Sequence, residues 1–442
     1  MLELASLVVL CLGVLLLRRP GEPPLLLYIF GFQWLSISAA IFYTDLQGVS
    51  IADFYNGIAK AEDAVWLSLG GLLALSIGFR LGAQSVRLID ASLFRKTVAQ
   101  RPLADWFWFY VVTAIACSVA DALAYVVPGL SQPMLAAANL KWAPFLMLAF
   151  AALSGHERKT YFYIAFAVEL VQGVGGFFSD FKTVFIFTLL AAVAAGARPT
   201  VRQVIGIGAL GAVTVAFALA WTAVKPDYRQ FVSQGANSQT VEVGYSERIG
   251  KLGELLGELN AEKLQDASDN LVRRIADVQF FGAVLDYVPR ITPFENGAIW
   301  WDAIERPFLP RIIFSDKTVI DDSERTRKYT GMDVSGAESA TSISIGYMSE
   351  AYIDFGEFGV GAVLLAYGLF IGFCHRKLVQ GRFTRGLLGA SLSASVFFQV
   401  SSYDASITKI FGGLVIALLV ARLAARYLVS RWYPWAIIEP GR

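Results

Sequence analysis

Histidine is nearly missing from this chain: there are two among 442 residues, His156 and His375, both beside basic clusters. Every other stretch therefore lacks the usual general base and a favoured zinc ligand. Cysteine is as scarce. Cys11, Cys117 and Cys374 all fall inside apolar runs, which argues against a disulfide framework or a cysteine-held metal. Charge is thin as well. Only 17% of residues are charged while 56% are hydrophobic, and the mean hydropathy is +0.54, far from an ordinary soluble domain. No nucleotide-binding glycine loop, internal repeat or low-complexity tract occurs, and no nucleic-acid partner is expected. Gly173–Gly176 (GVGG) lies inside a hydrophobic run, where close helix packing accounts for it. Met1–Leu17 is apolar, but its basic pair, Arg18–Arg19, follows the run, the reverse of a signal peptide. It reads as a first span that stays.

What the sequence has is apolar runs of helix-spanning length. They place helices at about 1–17, 24–44, 63–83, 104–128, 133–153, 161–178, 183–196, 203–223, 357–374, 386–403 and 407–425. The expected fold class is all-α: a polytopic integral membrane protein of about eleven transmembrane helices with one large, mainly helical loop. Residues 1–223 carry the first eight helices, 224–356 form the loop, and 357–442 carry the last three with the C-terminus. One set of connections holds 19 of the 37 basic residues, while the short opposite set holds only Lys60, Lys141, Lys182 and Lys409. The positive-inside rule then makes the C-terminus cytoplasmic. The N-terminus and the large loop face outward, which is the periplasm if the membrane is a bacterial inner membrane.

The long polar insert is where chemistry is expected. Glu247–Leu259 and Leu271–Val288 read as amphipathic helices, the second carrying Arg273 and Arg274 near its start. Pro289–Arg290, a turn through Asn296–Gly297 and the pair Trp300–Trp301 follow. Pro307–Lys317 (PFLPRIIFSDK) is apolar with Arg311 after Pro310, and Asp321–Ala340 reads as a mobile loop. Thr341–Gly359 leads into the ninth span and brings Glu350, Asp354 and Glu357 towards the membrane surface. Arginine suits a diphosphate because its planar fork gives bidentate, permanently charged hydrogen bonds. Tryptophan faces suit pyranose rings. The plainer accounts are a solvated helix face for Arg273–Arg274 and an interfacial belt for the tryptophans. Asp121, Lys141, Glu169, Asp180, Lys182, Asp404 and Lys409 lie within or at the ends of apolar runs, where ionised groups are costly unless paired or wet.

Arg273–Arg274, the helix ending Tyr287–Val288–Pro289, Gly297, the run Leu309–Phe314 with Asp316–Lys317, and Gly346–Gly356 (GYMSEAYIDFG) together resemble the Wzy-type oligosaccharide repeat-unit polymerases. Thr318 stands where that family often has proline, and Lys182 where an arginine is expected. The resemblance implies a GT-C-like membrane glycosyltransferase that polymerises undecaprenyl-diphosphate-linked repeat units into a surface polysaccharide, without a metal or other cofactor. Its partners would be the lipid-linked donor and acceptor, the bilayer, and a chain-length regulator and flippase. On that reading Arg311, Glu350 and Lys317 are the catalytic candidates: the cations hold the diphosphate and Glu350 meets the acceptor hydroxyl. Arg273, Arg274, Lys182, Arg290, Trp300, Trp301 and Tyr352 bind substrate. An O-antigen ligase-like transferase and a polysaccharide or lipid transporter are the alternatives. A ligase should show a histidine in its outer loop, and a transporter should show discontinuous spans around a midplane site.

Overall fold

Two glycine pairs bring two helices into backbone contact. Gly78 and Gly82 on one helix face Gly368 and Gly372 on another, each pair spaced four residues apart, so both glycines of a pair lie on one face. A Cβ on Gly78 would strike the Leu365 carbonyl, and one on Gly368 would strike the Leu75 carbonyl. The backbones therefore touch, and this contact forms the spine of a helical bundle.

The computed structural model describes residues 1–18, 24–84, 98, 100–126, 128–155, 159–175, 182–196, 201–232, 243–309, 314, 320–336 and 341–437. All regular structure among them is helical. The bundle comprises α1 (Leu2–Leu17), α2 (Leu25–Gln47), α3 (Ile51–Phe54), α4 (Ala61–Gly82), α5 (Leu103–Val126), α6 (Ser131–Ala138), α7 (Trp142–Leu153), α8 (Thr160–Gly175), α9 (Lys182–Ala194) and α10 (Val201–Val232). The insert adds α11 (Tyr245–Gly257), α12 (Ala261–Ile275), α13 (Gln279–Tyr287), α14 (Ala298–Glu305) and α15 (Asp322–Thr330). Then come α16 (Tyr347–Val379), α17 (Gly386–Phe397) and α18 (Ile407–Leu423). Among the described residues six stretches are long and apolar enough to cross a membrane: α2, α4, α5, the bent pair α6–α7, α16, and α18 with its continuation to Trp432. The three shorter apolar helices are α1, α9 and α17 with its 3-10 extension to Ser401. Each of the eleven expected positions overlaps a helix, but among the described residues six stretches meet the length and hydropathy needed to span.

Three expectations change. The proposed helix Leu271–Val288 is broken: α12 stops at Ile275 and α13 starts at Gln279, with Ala276 and Val278 buried between them. The region read as a mobile loop contains α15. Asp321 caps it by accepting from the Ser323 and Glu324 amides at 2.9 and 3.2 Å, and Gly331 closes it. Finally, α16 is folded back on itself. Gly356 has φ 68° and ψ −168°, a conformation open essentially to glycine alone. The Tyr347 and Tyr367 rings lie 6.0 Å apart. In a straight helix twenty residues would separate them by about 30 Å. Residues 347–355 therefore form a short arm packed against residues 357–379. Tyr347 sits deep enough to donate to Gln33 Oε1 of α2 at 2.6 Å.

Candidate functional site

Two buried carboxylates, Glu350 and Asp322, meet at residues 402–409, the turn after α17 and the first residues of α18. Glu350, on the folded-back arm, is fully buried. Its Oε2 accepts the Ile407 amide at 2.6 Å, so the carboxylate caps the N-terminus of α18. Its Oε1 accepts from Arg325 Nη1 of α15 at 2.5 Å. Asp322, one turn earlier on α15 and equally buried, pairs with Lys409 Nζ at 2.5 Å. Ser342 joins this second pair, accepting from Lys409 at 2.9 Å. Two salt bridges thus clamp α15 to the folded-back arm and to the first turn of α18. The Thr326 hydroxyl, donating to the Ile343 carbonyl at 2.7 Å, and the Ser323 hydroxyl, accepting from the Ile343 amide at 2.9 Å, fix the intervening chain.

Lys409 also lines a cavity of about 250 Å³ beside this clamp. Its other polar walls are Gln132 and Asn139 of the α6 region, Thr183 of α9, and Ser395 and Gln399 around the end of α17; Trp142 forms part of the apolar wall. An ammonium, three amides and two hydroxyls can hydrogen-bond a polyhydroxy or anionic group, and the tryptophan supplies an apolar face. These groups are suited to binding and to charge stabilisation. No aspartate, glutamate or histidine among the described residues lines it. Among the described residues no cluster of three or more His, Cys, Asp or Glu could hold a metal ion.

A second polar group lies beyond the same turn. Arg273 sits over the Phe54 ring at 4.9 Å, with its Nε buried and unbonded. The Tyr55 hydroxyl donates to the Ala276 carbonyl. Asp277 follows, and burial together with the negative charge of Asp404 pushes its carboxyl up to about 7. Glu295 is held below the usual carboxylate range by Lys328 and the Tyr329 hydroxyl, which bond it at 2.7 and 2.6 Å.

Of the residues singled out from sequence, Arg311 and Lys317 lie outside the described residues, as does Asp180. Glu350 is not a surface carboxylate near the membrane: both its oxygens are engaged in the core. Asp354 is also buried and caps α14, accepting from the Ile299 and Trp300 amides at 3.2 and 2.8 Å. Glu357 alone of the three is exposed. Tyr352 is core, donating to the Val288 carbonyl at 3.2 Å between the Phe281 and Phe294 rings. Trp300 and Trp301 do not form a platform. Trp300 is buried against Tyr367, whereas Trp301 is exposed, because neighbours on a helix face different ways. Arg290 pairs with Asp286 on the surface, and Arg274 is exposed. Lys182 is exposed at the first residue of α9, next to Thr183 in the cavity wall. Glu169 is paired, as its burial requires, with Lys141 and the Tyr110 hydroxyl at 2.7 and 2.8 Å. The sequence reading passed over Asp322, Arg325 and the amides Gln132, Asn139 and Gln399. The signals for α15 were its Asp321 cap and its terminal glycine.

These features define an all-helical protein whose apolar helices are long enough to cross a membrane and whose charged insert is clamped over a polar cavity. A family model described as "Domain of unknown function (DUF8712)" matches residues 89–429, and the chain belongs to that family. No curated protein and no solved structure matches the chain.

Proposed function

We propose that the protein is a bacterial inner-membrane glycosyltransferase that polymerises undecaprenyl-diphosphate-linked oligosaccharide repeat units, with the insert in the periplasm and the C-terminus in the cytoplasm. The observation that supports this best is the cavity beside Lys409, a pocket of amides, hydroxyls and one ammonium under a helix of the insert. Such a lining suits a sugar carried to the membrane surface on a lipid. In the reaction the acceptor hydroxyl attacks the anomeric carbon of the donor, the carbon–oxygen bond to the diphosphate breaks, and the hydroxyl proton passes to the departing diphosphate. The leaving group is already stable, so cations aimed at its developing charge are the main requirement. Lys409, Lys182, Arg273 and Arg274 are candidates for that role, together with Arg311 and Lys317. Glu350 positions α18 and Arg325 and is reassigned from base to anchor.

The test uses a deletion of the gene in its native host, complemented by Lys409→Ala, with lipid-linked intermediates and polysaccharide length analysed. The deletion should accumulate a single lipid-linked repeat unit outside the inner membrane, and Lys409→Ala should shorten or abolish long chains. Normal polysaccharide in the deletion strain would sink the proposal. The folded-back arm of α16 gives a transporter reading some support, because broken helices build transporter sites. Repeat units trapped on the cytoplasmic face of the deletion strain would favour transport instead.

A further inference from the structure

Helix α14 is apolar on two faces, and protein covers only one of them. Ile299, Trp300 and Ala303 are buried in the bundle. Trp301, Ile304 and Phe308 are exposed, Trp301 at 67% and Phe308 at 69%. Their spacing of three and then four residues puts them on one side of α14 and of the 3-10 turn that continues it through Phe308. What covers this second face depends on where it stands along the bundle.

Three contacts fix that level. Asp354, two residues before the bend at Gly356, accepts from the Ile299 and Trp300 amides, so α14 starts beside the point where the long limb of α16 begins. The Trp300 ring lies 5.7 Å from the ring of Tyr367. Tyr367 is ten residues beyond Glu357, about 15 Å along the limb. Helix α14 and residues 306–308 also pack against α18. Both α16 and α18 are long and apolar enough to cross a membrane. Phe358, the second residue of the long limb, is 96% exposed and marks where its apolar surface begins. With these helices across a bilayer, α14 stands beside the upper part of the spans and not in the water above them.

The charges of the segment set its depth. Glu305 is exposed, while Arg306 is paired with Asp302 at 2.6 Å. A free carboxylate is costly among acyl chains and tolerated among headgroups. Tryptophan beside aliphatic and aromatic neighbours, with charge close by, is the composition of a membrane–water boundary.

We propose that residues 298–308 are an interfacial membrane anchor, with Trp301, Ile304 and Phe308 seated between the headgroups and acyl chains of the leaflet on the insert side. The insert is then tied to the lipid surface within its own length, and not only through its connections to α10 and α16. The proposal needs α16 and α18 to span a membrane and does not depend on the glycosyltransferase reading.

The experiment places a spin label at Ile304→Cys, at Phe308→Cys and, as a reference on the exposed side of α12, at Glu262→Cys, in full-length protein whose three native cysteines are replaced by serine. The protein is reconstituted in nanodiscs of phosphatidylcholine and phosphatidylglycerol. Collisions with molecular oxygen, which concentrates in the bilayer, are compared with collisions with a water-soluble nickel chelate. The ratio of oxygen to nickel collisions should be several-fold higher at 304 and 308 than at 262. Nickel access equal to that at 262 puts the face in water and overturns the proposal. Exclusion of both reagents means that protein, such as a second copy of the chain, covers the face, and overturns it too. A second measurement keeps the native cysteines: brominated phosphatidylcholine should quench part of the tryptophan fluorescence, and Trp301→Phe should lose some of that quenched component. An unchanged quenched component in a folded Trp301→Phe protein counts against the anchor in the same way.

Discussion

The described residues between Tyr245 and Ile275 lie mostly on the surface, whereas many of those between Ala276 and Tyr347 pack into the bundle. In α11 and α12 only Leu255 and Ala267 are buried among the described side chains. In the later part Val278, Phe281, Val284, Val288 and Ile299 are all buried, and so are Asp322 and, just beyond that part, Glu350. Both parts are rich in charge, so charge density alone does not say which will be exposed. Partner geometry decides. Ion pairs of the early part join near neighbours, as Lys251 with Glu254, while the later part adds to its local pairs two that reach across the fold, Arg325 with Glu350 and Asp322 with Lys409. A local pair in water stabilises little. A buried pair between distant segments fixes which elements must meet, and losing one partner strands the other.

The largest way to break this contrast is Arg325→Met. Glu350 would keep the Ile407 amide but lose its cation while fully buried. The expected cost is about 3–5 kcal/mol, read as a fall in the denaturation midpoint of the detergent-solubilised protein. Arg325→Met combined with Glu350→Gln should recover part of it. A loss below about 1 kcal/mol for the single variant would show that the clamp does not anchor the insert.

Asp277 sharpens the contrast through pH. Its folded-state pKa is raised to about 7 from 3.8, by burial first and then by Asp404. Below about pH 4 the group is protonated in both states, and its contribution to stability is fully present. As pH rises to about 7 the unfolded chain ionises it first, so stability falls across that window and levels off above it. Asp277→Asn should remove this slope. Relative to wild type, the variant should gain stability by an amount on the order of a few kcal/mol at pH 8, and little at pH 4. Denaturation midpoints of both proteins at the two pH values supply the check. An equal difference at both would remove Asp277 as the titrating group.

Much of this architecture could be read from the residues, because hydropathy reports length and polarity directly. The apolar runs marked the helix positions, and the leucine stripe of residues 247–259 marked α11. The break at 276–278 was not legible, since Ala276 and Val278 continue an apolar helical pattern and only tertiary burial stops the helix there. Helix α15 was hidden because nine charge-rich residues look like a solvated loop, although Asp321 and Gly331 are ordinary start and stop signals. The fold-back at Gly356 was also concealed: glycine before an apolar run is commonplace, and its left-handed backbone appears only in the fold. Long-range pairing explains why the site was harder to read than the spans. Nothing local to Lys409 announces Asp322, 87 residues earlier in the sequence.

The smallest effect is expected at Arg290, which the sequence placed among the substrate-binding residues. Its guanidinium bonds Asp286 at 2.8 Å through Nη2 and the Asp286 carbonyl at 2.9 Å through Nε. Both side chains are more than half exposed, at 64% and 55%. Water competes for every one of these bonds, and the pair closes the end of α13 without touching the clamp. Arg290→Ala should therefore shift stability by no more than about 0.5 kcal/mol. Arg325→Met and Arg290→Ala remove the same kind of side chain, so the gap between them measures what burial and a distant partner add. Polymerisation assayed alongside separates the remaining role. If Arg290 holds only Asp286, chain length and turnover stay at wild-type values. A tenfold fall in turnover from a protein of normal stability would return Arg290 to the substrate path and extend the working surface onto the exposed side of α13.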